Sequence, residues 1–144
     1  MKTYRFEEIL DRDGRLIYTN VGDSMMPLIK QGRDLLIIEK SAGRLKRLDI
    51  PLYKRANGRY VLHRIIKVRE NDYVICGDNR WGKEMGVTDD QILGVLTGMI
   101  RKGREISMDS WQCRLYAHLW CDFFPIRAFV LKVLYVLKRR MKAW

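Results

Sequence analysis

The chain has 144 residues, 47% of them hydrophobic, and a formal net charge of +11 at pH 7. This length suits one domain with its own core, and so basic a balance favours nucleic acid, an anionic membrane surface or an acidic partner. Its three cysteines, Cys76, Cys113 and Cys121, are odd in number and irregularly spaced, which argues against a disulfide framework and indicates reduced thiols.

Short strands separated by turn signals dominate the first hundred residues. An amphipathic helix is predicted at residues 3–11, and the dipeptide Asn57-Gly58 is a strong hairpin signal further on. The predicted strands span residues 15–21, 35–39, 49–54, 59–68, 73–76, 92–101 and 105–106. This spacing predicts a mainly β, antiparallel and barrel-like domain, which we place at residues 1–108. The first ten residues contain no apolar segment, so we expect no secretory signal peptide there.

The composition changes after Met108, and residues 109–144 are predicted to form an apolar and basic helical extension. A helical pattern covers residues 111–121, and Pro125 lies near the first turn of a second helix. One face of the second helix is apolar and contains Ile126, Phe129, Val130, Val133, Leu134, Leu137 and Met141. The other face is basic and contains Arg127, Lys132, Lys138, Arg139 and Lys142.

Three placements of this second helix are open. Arg127 and Lys132 interrupt the apolar run, which disfavours a transmembrane span. A basic amphipathic helix that lies in the membrane interface fits the pattern better, and packing on the protein itself or on a partner is the alternative. The same region contains Cys113, His118 and Cys121, but no fourth ligand at suitable spacing accompanies them, so we expect packing, with no metal and no cofactor.

The most informative stretch of the chain is a serine between a glycine turn and a Met-Met-Pro run. Its residues are Gly22, Asp23, Ser24, Met25, Met26 and Pro27. A serine hydroxyl is a poor nucleophile near neutral pH and needs a neighbouring base to accept its proton. An imidazole suits that task, and His63 lies in the predicted strand over residues 59–68.

Two further blocks accompany Ser24 and His63. The strand at residues 73–76 leads into the turn Gly77-Asp78-Asn79, and residues 86–95 lead into the last long strand. In this order, the four blocks resemble the signal peptidase I superfamily, which also contains the LexA-like self-cleaving repressors. The resemblance covers about residues 15–102 and implies a signal peptidase/LexA-type β domain followed by C-terminal amphipathic helices.

The resemblance also implies roles for single residues. Most members have a lysine at the position of His63, before the arginine that corresponds to Arg64. A histidine at this position is similar to the Ser-His branch, which includes the endoplasmic-reticulum type. Ser24 would be the nucleophile and His63 the base, with Asp78 or alternatively Glu84 as the acid that orients the imidazole. Which carboxylate faces the imidazole is left open.

The serine block is expected to build the rest of the cleft. The backbone N–H of Ser24 would be one oxyanion donor, and Gly22 stands where many signal peptidases have a hydroxyl, so a second backbone amide must serve. Asp23 would disfavour acidic substrates near the scissile bond. The apolar floor is assigned to Met25, Met26 and Pro27. If the resemblance holds, the peptide would bind extended, adding a strand, with small residues at the cleavage site.

We therefore predict a serine endopeptidase that removes signal or leader peptides from precursor or exported peptides. Its partners would be a peptide or preprotein substrate and a membrane surface or membrane protein bound through residues 111–142. The positive C-terminal end favours the cytoplasmic side of the membrane. One alternative is an inactive scaffold that presents the helices to a membrane complex. The other is a LexA-like regulator, but too few residues precede the β region for a helix-turn-helix, so we expect no nucleic-acid partner.

Overall fold

A computed structural model describes residues 3–143, so the outermost residues of the two predicted regions (1, 2 and 144) lie outside it. In chain order the elements are α1 Phe6–Asp13, β1 Arg15–Thr19, β2 Asp34–Glu39, β3 Pro51–Lys54, β4 Tyr60–Leu62, β5 Arg64–Val68, β6 Tyr73–Cys76, β7 Glu84–Val87, a 3₁₀ turn Asp89–Gln91, β8 Ile92–Arg101, β9 Arg104–Ser107, α2 Trp111–Asp122 and α3 Phe124–Lys142.

The strands form two antiparallel sheets. The larger sheet has the order β1-β2-β8-β3-β4, with β9 paired to β8, and curls into a half-barrel. The smaller sheet has the order β5-β6-β7. The predicted fold, mainly antiparallel β followed by C-terminal helices, is confirmed at this level.

One predicted strand, at residues 59–68, is divided between the two sheets. β4 pairs with β3 in the larger sheet, whereas β5 pairs with β6 in the smaller one. Leu62 packs into the core of the larger sheet. Ile65 packs into a second core, which also contains residues of β3, β6 and β7, so the chain must turn between Leu62 and Ile65. The residue at that crossing is His63.

The two C-terminal helices pack on the β region through few residues. α2 buries Ala117 and Cys121, and α3 buries Arg127, which is only 5% exposed. Arg127, which the helical pattern groups with the basic residues of one face, is therefore buried against the protein. Its guanidinium has hydrogen-bond partners inside the protein, described below. No helix within residues 3–143 is both long enough and apolar enough to cross a bilayer.

Candidate active site

Ser24 and His63 line the same open cleft, which has a volume of about 650 Å³. Gly77 lies where their walls meet. A Cβ atom at Gly77 would lie 2.7 Å from the carbonyl oxygen of Ser24 and 3.1 Å from Nε2 of His63. Any side chain at residue 77 would therefore push against the serine backbone and the imidazole together. The fold thus brings the predicted nucleophile and the predicted base to one place.

The turn at residues 77–80 holds the backbone around Ser24. The amide of Asn79 donates to the carbonyl oxygen of Ser24 at 2.8 Å, and the Asn79 side chain donates to the carbonyl oxygen of Asp23 at 3.1 Å. Arg80 pairs with the Asp23 carboxylate at 2.7 Å. Because Arg80 neutralises Asp23, the predicted repulsion of acidic substrates by Asp23 has weak support in this geometry.

The other end of the serine block is fixed from the larger sheet. Asp34 is 3% exposed and accepts a hydrogen bond from the amide of Lys30 at 3.0 Å. Arg101 pairs with Asp34 at 2.6 Å and donates to the carbonyl oxygen of Leu28 at 2.8 Å. Hydrogen bonds to the lone pairs of Asp34 outweigh its burial and lower its pKa to about 2. The segment that carries Ser24 is thus held by charged groups at both ends.

His63 is half-buried at the crossing between the sheets. Burial, together with the positive charge of Arg55, lowers the pKa of His63 to about 4. The imidazole is therefore neutral at pH 7, which is the state a general base needs. Within residues 3–143 the ring makes no hydrogen bond with a protein group, so both nitrogens are available to a hydroxyl or to water.

Asp78 lies close to the cleft but its carboxylate is turned away from it. Asp78 is fully buried, and Arg64 donates to both of its oxygens at 2.9 Å. Tyr116 donates to the second oxygen at 3.0 Å. The carboxylate thus anchors the 77–80 turn to β5 and α2. Its predicted role as the acid that orients His63 is supported by no hydrogen bond between the two.

Glu84, the alternative acid, does line the cleft. Tyr53 donates to its carboxylate at 2.7 Å, and Arg55 donates to its two oxygens at 2.9 and 3.0 Å. Burial alone would raise the pKa of Glu84, but the hydrogen bonds from Arg55 and Tyr53 outweigh it and the pKa is lowered. Glu84 is thus charged, and it favours a protonated His63 more strongly than Asp78 does.

The residues predicted to form the apolar floor do not line this cleft. Met25 is fully buried in the core of the larger sheet, where its sulfur accepts a hydrogen bond from the amide of Asp78 at 3.5 Å. Pro27 borders a separate pocket beside β8 and β9. The Met26–Pro27 peptide bond is cis. Val21 and Val61 instead supply apolar surface to the cleft, and Gly22 and Asp23 line it as expected.

Several cationic residues of the cleft were missed by the sequence interpretation. The four residues are Arg55, Arg59, Arg80 and Lys83. Arg55 is paired with Glu84 and Arg80 with Asp23. The position of Arg80, directly after the Gly77-Asp78-Asn79 turn, is the one local signal that could have identified it.

The C-terminal helices also reach the turn that holds Ser24. Trp120 of α2 donates to the carbonyl oxygen of Asp78 at 2.7 Å. Arg127 of α3 donates to the carbonyl oxygens of Gly77 and Arg80 at 3.1 and 3.0 Å. Three backbone carbonyls of one short turn therefore have donors on the helices, which ties the helical region to the candidate active site.

Comparison with known proteins found no match: no family model, no curated protein and no solved structure matches the chain. Assignment to the signal peptidase I superfamily therefore stays a prediction from the four sequence blocks.

Proposed function

We propose that this chain is a serine endopeptidase in which Ser24 is the nucleophile and His63 the general base. The observation that carries the proposal is that Ser24 and His63 line one open cleft, with Gly77 close to the backbone of Ser24 and to Nε2 of His63. His63 is uncharged at pH 7, as a proton acceptor must be, but a pKa of about 4 makes it a weaker base than an ordinary histidine, and the charge of Glu84 is what favours its protonated form. We further propose signal or leader peptides as substrates, on the strength of the sequence resemblance.

The reaction would follow the usual order of acyl transfer. Nε2 of His63 accepts the proton of the Ser24 hydroxyl as Oγ attacks the scissile carbonyl carbon. Backbone amides, the N–H of Ser24 among them, stabilise the oxyanion, at roughly 3 kcal/mol per donor. The imidazolium then gives its proton to the leaving amine, and water hydrolyses the acyl-enzyme with His63 again as base.

A free strand edge beside the cleft supports a peptide as the substrate. Within residues 3–143, β4 lies at the end of the larger sheet and pairs with β3 alone. All three of its residues line the cleft. An extended peptide could pair with this edge and place one of its carbonyls near Ser24, since strand addition satisfies backbone groups regardless of side chains.

The test is cleavage of synthetic leader peptides with small residues at the cleavage site, followed by mass spectrometry. We expect cleavage by the wild type and a loss of at least about a hundredfold in both Ser24→Ala and His63→Ala, because general-base help is worth that much. Ser41→Ala and His118→Gln are matched controls, since Ser41 lies at another pocket and His118 is exposed on α2. Both should retain wild-type rates.

Two results would contradict the proposal. Cleavage by His63→Ala at the wild-type rate would exclude His63 as the base and direct attention to Lys83, the lysine that lines the cleft. Cleavage of no peptide by a folded wild type would favour the inactive scaffold instead.

A further inference from the structure

α3 exposes a long apolar face that points away from the rest of the protein. Its members, between 40% and 70% exposed, are Ile126, Phe129, Val130, Val133, Leu134, Val136, Leu137 and Met141. We call these eight residues the outward face. Contiguous apolar surface of this kind on a water-soluble domain marks an interaction site.

The opposite side of α3 is already occupied by the protein. Arg127 is buried against the 77–80 turn, Leu131 is half-buried, and the ring of Tyr135 lies 5.4 Å from that of Trp81. These three residues are spaced four apart and so share one side of the helix. Val133 and Leu137, in contrast, fall on the other side. The centre of the outward face therefore points away from the β region while Arg127 remains in place, and Leu134, seven residues after Arg127, lies at the border of the face.

The charges around the outward face are of one sign. Residues 123–143 contain no aspartate or glutamate, and their basic residues besides Arg127 are Lys132, Lys138, Arg139, Arg140 and Lys142. Lys132 and Arg139, seven residues apart, follow one edge of the apolar stripe. Long basic side chains at such an edge can extend their charged ends towards phosphate groups while their stems stay in apolar surroundings.

We propose that the outward face of α3 lies in the interface of an anionic membrane. An apolar stripe with Lys132 and Arg139 along one edge, Arg140 at its C-terminal end and no acidic residue matches an anionic lipid surface, in which the helix lies parallel to the bilayer plane. The helix does not need to span, in agreement with the burial of Arg127 on its inner side. This proposal does not depend on the peptidase assignment.

The test is flotation of the full chain with lipid vesicles. We expect binding to vesicles of phosphatidylcholine mixed with phosphatidylglycerol, weaker binding to phosphatidylcholine alone, and weakening by added salt, which screens the charges. Phe129→Asp should lower binding to the mixed vesicles at least about tenfold, because it places a charge in the centre of the apolar face. Phe129 is 68% exposed, so the thermal unfolding midpoint without lipid should not change.

A matched control separates the face from the change in net charge. Met85→Asp introduces the same charge at a residue of β7 that is 62% exposed, and it should float like the wild type. Ser24→Ala should also float normally, so loss of cleavage and loss of binding are distinguishable.

Equal flotation of Phe129→Asp and the wild type would overturn the proposal. A second result would also overturn it: the wild type does not bind vesicles but forms a dimer in lipid-free solution, and Phe129→Asp is monomeric by light scattering. The outward face would then be covered by a second copy of the chain.

Discussion

At the scale of single residues, the two candidate acids differ in what they contact. Asp78 is fully buried and paired with Arg64, whereas Glu84 borders the cleft with His63. Breaking a buried ion pair by removing one charge costs about 3 to 5 kcal/mol, because the partner charge stays buried and uncompensated. The two carboxylates should therefore fail in different ways when they are neutralised.

We expect Asp78→Asn to lower the free energy of unfolding by about 3 kcal/mol, measured by urea denaturation. Glu84→Gln should leave stability closer to the wild type but reduce kcat for peptide cleavage about tenfold or more, since it removes the negative charge that supports the protonated imidazole. A folded Asp78→Asn variant without activity, beside a fully active Glu84→Gln variant, would reverse this assignment of the acid.

At the scale of elements, the turn at residues 77–80 is held from two sides. Asn79 and Arg80 contact the serine block, and Trp120 and Arg127 supply donors from the helices. Arg127 touches neither Ser24 nor His63, so we regard it as a positioning residue that acts through the turn.

Replacing Arg127 with methionine should leave the carbonyls of Gly77 and Arg80 without these donors. We expect kcat to fall while KM changes little, because the turn holds the nucleophile rather than the bound peptide, and stability to drop by about 2 kcal/mol. Arg127→Lys keeps the charge but not the forked donors, so it should restore only part of kcat. Arg114→Met, at an exposed arginine of α2, is the control and should behave as wild type. A proportionate rise in KM with normal kcat would contradict the positioning role.

Local patterns in the sequence were sufficient for several elements. The strand predicted at residues 92–101 is β8, and the Asn57-Gly58 signal lies in the connection between β3 and β4. Both depend on neighbouring residues only: a run of apolar residues in one case, a turn former in the other. That Ser24 and His63 line one cleft was expected from motif order and not from any local pattern, and their catalytic pairing stays a prediction.

Other features depend on contacts between distant residues and could not be predicted. Residues 59–68 read as one strand, since nothing local shows that Leu62 and Ile65 belong to different cores. Helical spacing groups Arg127 with the other basic residues of α3. Its burial could not be predicted, because the sequence does not show that Arg127 donates hydrogen bonds to two carbonyl oxygens of the distant 77–80 turn. Met25 was assigned to the cleft floor for a similar reason: its burial is a property of the folded sheet.

At the scale of the whole molecule, His63 links the fold and its chemistry to pH. Its pKa is about 4 in the folded protein against 6.5 ordinarily. The unfolded chain therefore takes up a proton below pH 6.5 that the folded chain refuses until about pH 4. Stability conferred by a neutral imidazole is complete above pH 6.5 and is lost as the pH falls towards 4.

We expect the free energy of unfolding to fall by an amount on the order of 2 kcal/mol between pH 6.5 and 4, and this component to be absent in His63→Gln. Subtracting the two urea-denaturation profiles removes the contribution of carboxylates such as Asp34. The acidic limb of kcat/KM should have an apparent pKa near 4 rather than 6.5. A limb at 6.5, with identical stability profiles for the two proteins, would show that the imidazole is fully solvated.

The buried region around Arg127 also contains two sulfur atoms. Cys76 and Cys121 are buried, and Arg127 lies 3.5 Å from the sulfur of Cys76. Burial raises the pKa of Cys76 to about 11, so its reactive thiolate form is scarce. Oxidants and alkylating agents therefore do not reach Cys76 and Cys121 while the C-terminal helices stay packed on the β region. Cys113, which is half-buried, is the thiol that they reach first. Reaction of Cys76 or Cys121 with such a reagent would consequently report that the helices have separated from the 77–80 turn.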